Sequence, residues 1–396
     1  MSIKTDREVL EDAIFRDFED YTTHAAYADL LAEEGDPRGE YIRLQLALEN
    51  TSLPVRERRQ LDMDATKLYR EHFHDWVGHL DFRVSREPGP TARSANFEIG
   101  MRRGWVTSLQ IHRVTNRDML DLLIDARELR MLQGLEIGRL EWTDASTTER
   151  LSEAGWTRGL RKFRLDDWDE TDDRTADRTA GFLQSCTSLE TLSLGSRDRD
   201  VDDRGFSFRS ASLRHATVRF ARWPRVRTLL DAADIGSLQS IDWNSVPSSP
   251  LYDPDDWDIA EAESILADRT LPELGPMPRE LDDCPWTVEL LTALFESPRY
   301  RTLKSLRMSF PRVGDILPLA LVRSGLIERL EGLWLDGCGI TDVGAQMLID
   351  ARKHPDLRLI DLRDNPLTPA VVDQFRRLDT IVWAYTSQDR DDEIPF

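Results

Sequence analysis

Apolar residues recur in one short arrangement over most of the chain. Two segments show it in full: Leu330, Leu333, Leu335, Cys338 and Ile340, then Leu357, Ile360, Leu362, Asn365 and Leu367, 27 residues later. In each, apolar positions at every second residue place one face of a short strand inward. Shorter matches to the spacing begin at Val106, Leu132, Leu160, Leu189, Leu213, Leu238 and Leu303, those at 213 and 238 being degenerate. Adjacent starts lie 24–29 residues apart, except for a gap of 65 residues between 238 and 303. Between strands the apolar residues pair at helical spacing. The stripes are Leu290, Leu291, Leu294 and Phe295; Leu317 and Leu321; Val343, Met347 and Leu348; and Val371, Val372 and Phe375. Thr341 and Thr368 stand at helix N-cap positions, and Pro369 suits a first helical position. The predicted unit is strand, turn, helix.

The unit reads L-x-x-L-x-L-x-x-[NC]-x-L, and it resembles a leucine-rich repeat. A length of 27–29 residues leaves room for a full helix, which resembles the ribonuclease-inhibitor class. No such unit buries its apolar face alone, so neighbours must stack. The expected fold is an α/β horseshoe solenoid over residues 106–396, with parallel strands on the concave side and helices on the convex side. Cys338 takes the Asn/Cys slot, a buried structural position in such repeats. Residues 247–286 interrupt the series with seven of the chain's 19 prolines and the acidic run Asp253-Pro-Asp-Asp-Trp-Asp258. Such an insertion is either a loop that clasps a basic partner or a drifted structural excursion.

Residues 1–80 follow a different period and predict a small α-helical domain. Val9, Leu10, Ala13, Ile14 and Phe18 form one stripe, and Ala26, Tyr27, Leu30 and Leu31 the next. Gly35 stops that helix, Asp36 caps another and Pro37 opens it. Tyr41, Leu44 and Leu48 line the third helix; Leu61, Ala65, Leu68, Tyr69, Phe73 and Trp76 line a longer fourth. The segment AYADLLAEEGDPRGEYIRLQ at 26–45 resembles the bacterial repeat-companion domain, departing from that family's pattern at Ala32, where Glu is commoner. The resemblance spans residues 9–48. It implies a bacterial protein and a companion domain that precedes leucine-rich repeats, and it carries no established catalytic activity. Asp36, Arg38 and Glu40 are either a partner-binding knuckle or a local helix stop and restart. Residues 81–105 read as a bridge into the solenoid, with a strand at 96–101, and Arg102-Arg-Gly-Trp105 resembles the R-G-[FW] segment that opens the repeats in such proteins.

Charge narrows the choice of partners. The net charge is −21, from 73 acidic and 52 basic residues. Binding to nucleic acid or to an anionic membrane needs a basic footprint, so neither is expected. Three cysteines without close spacing point to a reducing compartment and no disulfide framework. The first residues form no apolar leader and no run approaches a membrane span, so the expected location is cytoplasmic. Phosphate-binding, dinucleotide-binding, zinc-protease and nucleophile-elbow motifs are absent from the sequence. His72, His74 and His79 are poorly spaced for a metal, because i and i+2 point apart on a helix. The acidic run at 166–173 lacks the glycine and ligand spacing of a calcium loop. No catalytic residue, cofactor or metal is therefore assigned.

Alternate positions of each strand point away from the core. Position 5 of the unit carries Gln110, Glu136, Arg164, Ser193, Thr217, Asp242, Arg307, Trp334 and Asp361 in turn. Trp334 is a large aromatic at a position expected to be open, which suits an interface anchor. Arg307 and Asp361 should flank it on adjacent strands, with Ser309, Asp336 and Arg363 two positions further on. The expectation is a non-catalytic scaffold or sensor that recognises a protein partner on this face. The alternatives are an enzyme or regulator acting through the helical domain with the repeats choosing its target, and a small-ligand or peptide sensor. The partner's identity and the oligomeric state are not encoded in these patterns.

Overall fold

The computed structural model describes residues 5–78, 80, 91–93, 97–114, 121, 123–138, 150–166, 180–195, 208–219, 231–232, 237–244, 286–310, 313–351, 356–378 and 381–384. The insertion at 247–285, His79 and residues 167–173 lie outside them. The protein is mixed α/β and divides into two compact units. The first comprises Met1–Leu165 with Gly181–Leu189, and the second Asp166–Ala180 with Glu190–Phe396.

The first unit begins with helices α1 (Asp6–Arg16), α2 (Tyr21–Glu33), α3 (Arg38–Leu48) and α4 (Val55–Val77). A capping box closes the start of α1: Thr5 accepts from the Glu8 amide at 3.3 Å, and the Thr5 amide donates to Glu8 Oε2 at 2.8 Å. The α1 stripe departs from expectation. Val9 is half exposed, and Glu11 is buried in its place. Glu11 is drawn inward by the Tyr27 hydroxyl, which donates at 2.8 Å, by Arg7 at 3.3 Å, and by an ion pair with Arg130. Asp36 acts one residue earlier than an N-cap, accepting from the Arg38 amide at 2.9 Å. Gly39 lets α3 cross α2 closely, since a methyl group there would sit 2.6 Å from the Ala28 carbonyl oxygen.

Strand β1 (Thr91–Arg93) pairs antiparallel with β2 (Phe97–Arg102), which pairs antiparallel with β3 (Trp105–Ile111). From β3 the sheet turns parallel through β4 (Gly134–Ile137) and β5 (Lys162–Leu165), with Leu109, Leu135 and Phe163 in register. Ile14, Phe18, Tyr27, Leu31, Ile42, Leu46, Trp105 and Met131 share one core, so the helices and the first repeat fold around common side chains.

The second unit holds parallel strands β6 (Thr191–Gly195), β7 (His215–Arg219), β8 (Ser240–Asn244), β9 (Ser305–Ser309), β10 (Gly332–Trp334), β11 (Leu359–Asp361) and β12 (Ile381–Trp383). All nine predicted starts thus lead into strands, the two degenerate ones included. Ile241 on β8 pairs with Leu306 on β9, so the chain returns to the next register across its 65-residue gap. Trp286, where the insertion ends, packs edge-on against Phe310 at 5.1 Å, and Trp243 does the same at 4.8 Å. Strand β12 is a tenth copy beyond the nine predicted starts; its signal is Leu378, Ile381 and Trp383 at the same spacing.

Helices α5 (Val288–Glu296), α6 (Ile316–Arg323), α7 (Asp342–Ala351) and α8 (Pro369–Arg376) alternate with the later strands. Leu291, Leu294, Phe295, Leu317, Leu321 and Phe375 are fully buried, as their stripes predict. Val343 is exposed instead, and α7 buries Gly344, Ala345 and Leu348.

Side chains tie each repeat to the next. Asn365 donates to the carbonyls of Leu335 at 2.8 Å and Leu362 at 3.0 Å, and accepts from the Ile340 amide at 2.9 Å. Cys338 fills the slot one repeat earlier, fully buried, its thiol donating to the Met308 carbonyl at 3.3 Å. Asp315 accepts from the amide of Thr341 at 2.8 Å and its hydroxyl at 2.6 Å. Asp342 repeats this with Thr368, at 2.8 and 2.6 Å. The Thr368 hydroxyl therefore serves the preceding repeat and accepts nothing from its own helix. Asn365→Ala leaves one amide and two carbonyls unpaired in the interior and should cost about 2–4 kcal/mol. Leu335→Ala should cost roughly 2–5 kcal/mol. Urea unfolding with an unchanged slope is the measurement for both.

Candidate interaction surface

Trp334 sits between the residues expected to flank it. It is in register with Arg307 on β9 and Asp361 on β11. Its ring is half-buried and folds back along its own strand, for a methyl group on Gly332 would lie 2.5 Å from the ring carbon Cη2. The glycine two residues before the tryptophan leaves the room in which the ring lies down.

The surrounding charges are paired with one another. Arg307 Nη2 lies 3.1 Å from Asp336 Oδ1, and the Ser309 hydroxyl donates to the Asp336 carbonyl at 3.1 Å. Arg363 donates to Asp361 through Nε at 2.9 Å and Nη2 at 2.6 Å. Asp361 corrects an expectation, because it is wholly buried rather than open. Two causes are visible. β12 lies alongside it in register, so it is not on the outermost strand, and Arg363 closes over its carboxylate. Of the six residues proposed for this surface, Trp334, Arg307, Ser309, Asp336 and Arg363 keep partial exposure, and Asp361 is buried.

In the first unit, a second constellation joins the helices to the sheet. The β2–β3 connection is a two-residue turn in which Arg103 (φ 49) and Gly104 (φ 76) both take left-handed backbone. That geometry suits the twist of a hairpin. Gly104 is needed twice: for its φ, and because a methyl group there would lie 2.8 Å from Ile42 Cγ1. Arg103 is buried. It reaches Glu49 at 2.6 and 2.8 Å and donates to the Phe18 carbonyl at 2.7 Å. Beside it Arg102 grips Glu19 at 2.6 and 2.8 Å. Trp105 stacks on Tyr27, with ring centroids 5.2 Å apart. The two family-like segments, 26–45 and 102–105, therefore meet in space. Of the proposed knuckle, Asp36 serves the turn, the stem of Arg38 packs near Gly104, and Glu40 pairs with Arg43 at 3.5 Å.

His24 belongs to this constellation. It is fully buried, its Nε2 2.9 Å from the Phe18 carbonyl that also receives Arg103. Burial holds its pKa down to about 4, and the Arg103 charge acts in the same direction. Glu49 and Glu19 are held below the usual carboxylate range by hydrogen bonds from Arg103 and Arg102 respectively. The two histidines of α4 singled out in the sequence meet neighbours on their own helix. His72 lies 3.6 Å from Asp75 and stacks on Trp76, and His74 meets Phe73 edge-on. No cluster of three metal-ligating side chains occurs among the described residues. No helix among them is long and apolar enough to cross a membrane.

No family model matches the chain, and no curated protein matches it. Among solved structures, a protein from Bacteroides fragilis is similar, with 14% identity over 70% of this chain and 74% of its own and a TM-score of 0.45. The yeast Rad7 and Elc1 complex is similar at 12% identity over 98% of this chain and 100% of that chain, with a TM-score of 0.33. At these scores neither likeness specifies a function.

His24 gives a pH prediction. Its folded pKa lies below the unfolded value of 6.5, so the unfolded chain takes up the proton first. Stability is complete above pH 6.5 and falls towards pH 4, by up to about 3 kcal/mol. Glu19 and Glu49 add a further loss at lower pH, as their folded-state pKa values are crossed. Urea midpoints measured across this range should show a slope that His24→Gln flattens between pH 6.5 and 4 and leaves in place below.

Proposed function

We propose that the protein is a non-catalytic recognition subunit that binds a protein partner on the sheet face around Trp334. The repeats are read as leucine-rich repeats of the ribonuclease-inhibitor-like class, stacked as a horseshoe solenoid. The helical segment is read as a repeat-companion domain that closes their first strand. Both rest on the residue patterns, and the regular parallel register from β6 to β12 supports the first.

One observation carries the binding reading. Trp334 holds a large ring half-open on a face whose charges are already neutralised, Arg307 by Asp336 and Arg363 by Asp361. An aromatic platform ringed by pre-paired charges loses little side-chain freedom on docking, and tryptophan is prominent among interface anchors. The partly exposed guanidiniums of Arg307 and Arg363 supply the polar rim.

The test begins with affinity capture from the native host, with the partner identified by mass spectrometry. Trp334→Ala should then weaken the measured affinity by about 2 kcal/mol or more, roughly 30-fold. Its thermal melt should stay near that of the unaltered protein. Reversal of charge at Arg307 should mainly slow association and change its salt dependence. A Trp334→Ala protein that binds the identified partner as tightly as before removes this face from the proposal. The absence of metal chemistry is checked separately. Elemental analysis should find no stoichiometric zinc, and about one zinc per chain, lost in His72→Ala, would move the function to the helical segment.

A further inference from the structure

The first unit holds a cleft of its own. It has a volume of about 260 Å³ and runs between the end of α1, the turns entering β4 and β5, and residues 187–188. Its floor is apolar, with Ile14, Phe18, Met131 and Leu132 all buried. Three arginines, Arg16, Arg158 and Arg161, also line it, and Ser188 is part of the same lining. No aspartate or glutamate lines it, in a chain where 73 of 396 residues are acidic.

The state of these arginines separates them from their neighbours. Arg102, Arg103, Arg130, Arg150 and Arg164 all lie within ion-pair distance of a carboxylate. The guanidinium groups of Arg158 and Arg161 have no such partner among the described residues, and Arg16 donates only to the Asp12 carbonyl, at 3.1 Å. The carboxylate that feels Arg161 is Glu19, and it is already held by Arg102 at 2.6 and 2.8 Å. Arg158 and Arg161 thus leave positive charge beside an apolar lining that holds no carboxylate.

We infer that this cleft binds an acidic peptide segment of a partner protein, seating one bulky apolar side chain on the floor and setting its flanking carboxylates against Arg158, Arg161 and Arg16. The volume favours this occupant. Cofactor and drug-sized pockets run to roughly 300–1,000 Å³, whereas 260 Å³ holds about one large side chain and its neighbours' head groups. The apolar lining, on which the Phe15 side chain is exposed, favours a peptide over a bare inorganic anion. Guanidinium groups match carboxylates in bidentate geometry.

The probe is a short fluorescein-labelled peptide of aspartates and glutamates around one central tryptophan, titrated into the full-length protein and followed by anisotropy. Binding is expected on the order of 10 µM, weakening as salt rises. Arg161→Glu and Arg158→Glu should each lower affinity about tenfold or more, as should replacing the peptide's tryptophan by glycine. Trp334→Ala should bind the peptide unchanged, which keeps this site distinct from the proposed partner face. Thermal melts check folding, and Arg161→Gln with Arg158→Ala replaces any reversal variant that fails to fold. The inference is overturned by no binding at about 1 mM peptide, or by equal binding to the arginine variants. It is overturned equally if inorganic phosphate displaces the peptide at comparable concentration, or if Arg161→Glu abolishes a self-association of this chain at the cleft.

Discussion

The turn at Arg103 and Gly104 is the constraint on which the first unit depends. A hairpin of this kind needs two consecutive residues in left-handed backbone, and only one of them is glycine. Arg103 takes the unfavourable conformation because its side chain is bound at both ends of the α2–α3 pair, by the Phe18 carbonyl before α2 and by Glu49 after α3. The strain is local, and what opposes it is drawn from residues up to 85 positions away. That arrangement makes the helices and the sheet edge conditional on each other. It also explains the position of His24, whose neutral ring accompanies a buried guanidinium on one shared acceptor.

The second unit is held by a different device. Its strands repeat at nearly constant spacing, and the polar residues that join them repeat too. Asp315 and Asp342 stand 27 residues apart and hold Thr341 and Thr368, also 27 apart, through matching pairs of bonds. Asn365 and Cys338 share one slot but act with different strength. The amide reaches four backbone groups, whereas the thiol reaches a carbonyl as a weak donor. Stacking therefore combines apolar strand faces with a line of backbone-satisfying side chains, each set by the previous repeat.

Much of this was legible because it is periodic. Leu335 and Leu362 announced their burial by spacing alone, and so did the neighbours of Trp334, since register follows once the strands are aligned. The failures share a cause, which is that long-range pairing overrides a local pattern. Glu11 reads as a surface residue until Arg130, 119 positions later, arrives to neutralise it. Asp361 reads as open until β12, whose match is only Leu378, Ile381 and Trp383, covers its strand. The Arg103 clamp was invisible because nothing in an R-R-G-W run says which carboxylates will be near. The cleft at Arg158 and Arg161 was invisible because its two arginines lie outside the repeat's outward positions, in the turns that lead into strands.

The cysteines have a consequence for following the protein's motions. Cys186 lies in the first compact unit and Cys338 in the second, both buried, with burial pushing each thiol up to about 12. A thiol in that condition reacts with an alkylating reagent only when its surroundings come apart. With Cys284 replaced by serine, the chain would carry one silent reporter in each unit. The two labelling rates would then time their openings separately, and a ligand that steadied one unit alone would slow one reporter and leave the other running.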